Sequence, residues 1–110
     1  MIELAKLEEM FDEMRSQTPW NVDGPLLWGY FFTDPSQDKL EMAAKNLKAQ
    51  GYRFVRIHKT DDGSTNVLHI ERVETHSPQT LFARNEELYR LAHELGLESY
   101  DGMDVGPAPH

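Results

Sequence analysis

The strongest constraint on this chain is a pair of segments, residues 52–59 and 66–74, on either side of Asp61-Asp62-Gly63-Ser64. Both are rich in branched and aromatic residues, and the residues between them are turn formers, which is the pattern of a β-hairpin. A four-residue loop sets Val55 against Ile70 and Ile57 against Leu68. One face then carries those four aliphatic side chains. The other carries Phe54, Arg56, His58, Val67, His69 and Glu71. A slip of one residue would break both faces together, so the pattern itself specifies the register.

Around this hairpin the remaining elements fall into order. Leu4, Leu7, Phe11 and Met14 recur at helical spacing, with Met10 beside them, and predict an amphipathic helix over residues 2–17 that ends before Pro19. Residues 26–33, Leu-Leu-Trp-Gly-Tyr-Phe-Phe-Thr, read as a strand apolar enough to need cover on both faces. The alternation leaves open whether Trp28, Tyr30 and Phe32 or Leu27, Gly29 and Phe31 meet the helices. Asp34-Pro35-Ser36-Gln37 is a helix start, read with Asp34 as cap, Pro35 in the first helical position and Gln37 completing a capping box. Leu40, Ala43, Ala44 and Leu47 form the buried stripe of that helix, and Gly51 ends it. Ser77-Pro78 starts a further helix with Leu81, Leu88, Leu91, Ala92 and Leu95 inward, ended by Gly96. Residues 99–105 read as a short last strand.

The order is helix, then βαββαβ. It predicts an α+β, ferredoxin-like sandwich: a four-stranded antiparallel sheet with two helices on one face and an extra N-terminal helix. The expected divisions are 1–25 for the first helix and its loop, 26–106 for the domain, and 107–110 for a tail. The extra helix has two expected places, over the other sheet face or against an edge; a homodimer contact could cover that face instead.

With 110 residues the chain suits one domain. It has no cysteine, which removes disulfides, thiolate metal sites and cysteine nucleophiles. It has no long apolar run and no basic, apolar leader, so the expectation is a soluble, cytoplasmic protein without a membrane partner. The net charge is −8. Residues 1–25 and 76–110 each hold six acids and two Lys or Arg, while the middle of the chain balances. Clustered Lys and Arg, which a phosphate backbone requires, are missing, so direct nucleic-acid binding is not expected. Such charge favours basic protein partners, although solubility alone also explains it.

Few residues offer chemistry. His58, His69 and Glu71 share a face of the hairpin, with Arg56 between them, and imidazole with carboxylate suits a zinc or iron site. The spacing matches no metal motif, and the same residues make an ordinary ion-pair ladder on a polar sheet face. Asp101 and Asp104 could form a carboxylate pair, but Asp101-Gly102 is equally a bulge signal. The serines lie in turns and caps, and there is no nucleotide-binding glycine loop. The aromatic strand invites comparison with base-stacking sheets, yet Asp23 and Asp34 flank it where cations would be needed. Core packing is the better reading, and no cofactor is expected.

Trp28-Gly29-Tyr30-Phe31-Phe32, His69-Ile70-Glu71-Arg72-Val73-Glu74-Thr75-His76-Ser77-Pro78 and Tyr100-Asp101-Gly102-Met103 resemble the RraB-type family, the regulators of ribonuclease E activity. The resemblance spans about residues 26–106. It implies a ferredoxin-like sandwich without catalysis that binds and inhibits the RNA-processing endonuclease ribonuclease E. Family members carry strongly acidic extensions, including an Asp/Glu-rich C-terminal tail; here the last seven residues, Asp104 to His110, hold one acid. The expected function is therefore a non-catalytic regulator that docks an acidic surface on a larger protein partner. Tyr100, Asp101, Met103 and Asp104 are the candidate contacts, and Glu86, Glu87 and Glu94 the steering charges. A small metal-dependent enzyme or binder using His58, His69 and Glu71, and a homodimer of other role, are the alternatives.

Overall fold

A computed structural model describes residues 2–109. The elements are α1 (Leu4–Gln17), β1 (Leu26–Asp34), α2 (Gln37–Ala49), β2 (Arg53–Lys59), β3 (Asn66–Glu74), α3 (Pro78–Glu94) and β4 (Ser99–Pro107). The four strands form one antiparallel sheet in the order β2-β3-β1-β4. β1 and β3 are central, which suits their apolar sequences, and β2 and β4 are the edges. β4 runs two residues beyond the segment read as a strand, with Pro107 opposite Leu26. None of the helices among the described residues is long and apolar enough to cross a membrane.

The helices lie on one face of the sheet. Trp28, Tyr30 and Phe32 of β1 and Leu68 and Ile70 of β3 point into them and are almost fully buried. Leu40, Ala43, Ala44 and Leu47 of α2, and Leu81, Leu88 and Ala92 of α3, meet them from above. α1 joins the same layer. It packs on α3, and its Phe11 ring stacks on Trp28 at 6.0 Å. Leu27, Gly29 and Phe31 therefore face the opposite side, and α1 does not lie over it; among the described residues no helix covers that side.

Two local readings are corrected. The cap of α2 is Ser36, whose hydroxyl accepts from the Lys39 amide at 3.3 Å. Asp34 stays in β1 opposite Asn66, and its carboxylate accepts from the Ser36 and Glu98 amides at 2.8 and 3.0 Å. Asp34 therefore ties the two βα and αβ connections together instead of capping the helix. Ser77 does cap α3, in a reciprocal box with Thr80.

The hairpin register holds from the turn to Arg56, with Ile57 opposite Leu68 and Arg56 opposite His69. It then shifts. A bulge at Val55 leaves that residue unpaired and sets Phe54, not Val55, against Ile70. Phe54 accordingly moves to the helix side, where it and Ile57 line a shallow groove with α2. The physical reason is charge. The unbroken register would put Arg53 opposite Arg72, whereas the bulge puts it opposite Glu71, with 2.5 Å between Nη2 and Oε1. Like charges directly opposed across strands are unfavourable and unlike charges favourable.

Candidate functional site: an open sheet face and an acidic flank

The uncovered face is built in rows, because paired residues on adjacent antiparallel strands point the same way. One row is Arg53, Glu71, Gly29, Asp104, and the next is Arg56, His69, Phe31, Gly102. A third is His58, Val67, Thr33, Ser99, and Val73 and Leu27 lie beyond the first row. Phe31 and His69 stack across the two central strands, with ring centroids 4.4 Å apart. His69 Nε2 and His58 Nδ1 are enclosed but have no hydrogen-bond partner. Val73 remains exposed.

Gly29 sits at the centre of this face. A Cβ there would run into Asp104 Oδ1 and come within 2.8 Å of His69 Nε2, so the missing side chain lets both groups fold over the strand. His58, His69 and Glu71 do share the face. They do not form a ligand set: Glu71 is taken by Arg53, and among the described residues no three His, Cys, Asp or Glu side chains come together to hold a metal ion.

The segment Tyr100–Asp104 divides between the two faces. Tyr100 is buried in the core, packed by Phe32 and Tyr89, and its hydroxyl donates to Asn85 Oδ1. Burial drives its ionisation well above the ordinary tyrosine range. Met103 is half-buried on the helix side, with its sulfur 3.4 Å from Asn85 Nδ2. Asp101 is the extra residue of a bulge in β4, made possible by Gly102 at φ +127°. Asp101 and Asp104 are exposed.

Glu87 and Glu94 are exposed on α3 and Glu86 is partly so. Their setting explains the charge pattern of the chain. α1 packs on α3, and α3 on β4. The acidic beginning and the acidic end of the sequence thus meet on one flank. α1, α3 and β4 hold nine acids and four Lys or Arg, whereas α2 and β2 on the other flank hold two acids and six Lys or Arg.

A second polar cluster lies where β3 leads into α3. Glu74 Oε2 accepts from the Tyr30 hydroxyl at 2.8 Å, and Glu74 Oε1 is 2.7 Å from Arg84 Nη2. His76 stands edge-on to Trp28, and its Nδ1 meets Thr80 Oγ1 at 3.0 Å. Arg72 and Arg84 both lie over the Tyr52 ring. The Tyr52 hydroxyl, pushed up to about 12 chiefly by burial, stays protonated at neutral pH. The cluster joins β3 to α3 and its charged groups are held by one another, so its role is structural. Sequence reading missed it because Glu74, His76 and Arg84 show no spacing pattern; only the fold brings them to Tyr30 and Tyr52.

The family model "RraB: Regulator of ribonuclease activity B" matches residues 5–105 of the chain. No curated protein matches it.

Proposed function

Because the chain belongs to the RraB family of regulators of ribonuclease activity, we propose that it regulates an RNA-processing ribonuclease of the ribonuclease E type by direct docking. It acts in the cytoplasm without catalysing a reaction itself. The βαββαβ connection and the strand order β2-β3-β1-β4 support reading the domain as a ferredoxin-like sandwich with α1 added to its helical layer.

The observation that carries the docking mode is the convergence of both acidic chain ends on the α1/α3/β4 flank. Exposed carboxylates at Glu87, Glu94, Asp101 and Asp104 stand there with few cations among them. A ribonuclease has to attract RNA phosphates and so presents basic surface. An acidic flank is steered to such a surface and competes with RNA for it. Glu86, Glu87 and Glu94 supply the steering field, and Asp101 and Asp104 the edge contacts. Tyr100 contributes from the core, by holding β4 against α3.

Titration calorimetry against ribonuclease E from the same organism tests this. Binding is expected at low salt and weaker binding at physiological salt, because exposed charges are screened over about 8 Å there. Replacing Glu86, Glu87 and Glu94 together by Gln is expected to weaken binding at least fivefold at low salt and to flatten the salt dependence. Binding that ignores both ionic strength and these substitutions would overturn acidic docking. No binding by calorimetry or by a second method would overturn ribonuclease E as the target.

A further inference from the structure

The open sheet face carries cations along one edge, an aromatic pair in the centre and a carboxylate at the other edge. The cations are Arg53 and Arg56 on β2, Phe31 and His69 lie on the central strands, and the carboxylate of Asp104 lies on β4, two residues after Gly102 at the bulge. A nucleic-acid strand laid across it would be repelled at β4, and a basic peptide at β2. We propose that this face is covered by a second copy of the chain, in a two-fold homodimer whose axis runs parallel to the strands. The proposal does not rest on the ribonuclease reading: it uses the face opposite the helical layer and shares with that reading only the β4 edge at Asp101 and Asp104.

The rows select the symmetry. Two sheets packed face to face by a two-fold axis have two simple choices. An axis perpendicular to the strands sets β2 over β2, cation against cation, and β4 over β4, acid against acid. An axis parallel to the strands sets β2 over β4 and β3 over β1. It also leaves position along the strands unchanged, so each row meets itself. Arg53 of one copy then faces Asp104 of the other, and His69 faces Phe31 of the other, each pair occurring twice. This is an isologous, closed interface and does not propagate. The half-buried Leu27 and Val67 and the exposed Val73 supply the apolar contact, and packed sheets lie within about 30° of alignment, which preserves the row-on-row match.

Area sets the strength. Four strands about 4.8 Å apart and some seven residues long present a face of roughly 450 Å² per copy. The roughly 900 Å² buried in the pair lies below the roughly 1,200–2,000 Å² of specific, stable interfaces, so the dimer is expected to be weak, transient and concentration-dependent.

Sedimentation velocity from about 2 to 500 μM tests the proposal. The wild-type chain of 12.7 kDa is expected to shift from monomer to dimer across this range. Arg53→Glu alone and Asp104→Arg alone each place two like-charge pairs in the homodimer and are expected to weaken it at least tenfold. An equimolar mixture of the two variants restores both pairs, one native (Asp104 with Arg53) and one with its charges exchanged (the introduced Glu with the introduced Arg), and is expected to dimerise again. Circular dichroism checks that each variant is folded. On the wild type itself, isotope-filtered NMR of a labelled and unlabelled mixture is expected to show contacts between the His69 ring of one copy and the Phe31 ring of the other. A wild-type chain that stays monomeric at the highest concentration overturns the proposal. So does a dimer indifferent to both variants, or one that lacks the His69–Phe31 contact.

Discussion

Glu74 Oε2 and His76 Nε2 lie 2.6 Å apart at the junction where β3 ends and α3 is about to begin. The contact joins the sheet to the helical layer through a carboxylate that the Tyr30 hydroxyl and Arg84 also hold. Burial pushes the Glu74 carboxyl up, but the hydrogen bonds from His76 and Tyr30 and the charge of Arg84 outweigh it, and the group sits below its ordinary value.

A carboxyl lowered by folding stabilises the native state fully above its ordinary value of 4.5 and loses that contribution as the pH falls through the lowered one. Glu74→Gln leaves Arg84 without its buried partner and is expected to cost about 3 kcal/mol at pH 7. The gap between wild type and variant should be constant from pH 7 to about 4.5 and shrink below it. Urea unfolding at pH steps from 7 to 3 measures this. A gap that does not change down to pH 3 would show that the Glu74 charge is not what the fold uses.

Tyr100 and Asn85 give a second expectation. Asn85 is 1% exposed, and the Tyr100 hydroxyl donates to its Oδ1. Tyr100→Phe keeps the ring packing and strands the Asn85 carbonyl, which costs about 1–3 kcal/mol. Ribonuclease affinity should be unchanged within twofold at a temperature where the variant is folded. A loss of affinity without a loss of stability would move Tyr100 to the interface.

The elements were legible in the sequence because each carried its own period and its own stop. Leu40 to Leu47 marked a helix face, Ser77-Pro78 a start, and Gly51 and Gly96 the ends. What escaped was what depends on neighbours. Asp34 had every local mark of a cap, but its pairing with Asn66 keeps it in the strand and its carboxylate is drawn to Glu98, distant in sequence. The bulge at Val55 answers to Arg53 meeting Arg72 or Glu71, which only cross-strand register decides. Of the candidate site, the side-by-side placement of His58, His69 and Glu71 was readable from the hairpin. That Asp104 joins them over Gly29 follows from β4 pairing with β1, and no local pattern signals it.

The reassigned cap makes its own forecast. Ser36→Ala removes one hydrogen bond at the start of α2 and is expected to cost about 1 kcal/mol. Asp34→Ala strands two amides, those of Ser36 and Glu98, at a residue only 4% exposed, and is expected to cost about 2–4 kcal/mol. Thermal melts of the two variants rank them. Equal losses, or a larger one at Ser36, would return the capping role to first importance there.

The bulge allows a deletion inside a strand. Val55 is the one residue of β2 without a cross-strand partner between Phe54 and Arg56. Removing it leaves Arg53, Phe54, Arg56 and Ile57 in regular alternation, with every observed pair kept: Arg53 with Glu71, Phe54 with Ile70, Arg56 with His69. The loss is the packing of one half-buried valine, roughly 1–2 kcal/mol. Deleting Leu68 from the facing strand instead shifts the rest of β3 by one residue and sends Ile70 to the open face, which the core does not survive. The Val55 deletion should therefore unfold cooperatively with a modestly lowered melting temperature, and the Leu68 deletion should not fold. Loss of cooperative unfolding on deleting Val55 would mean that the bulge holds β2 in place, and that the Arg53–Glu71 pairing depends on it.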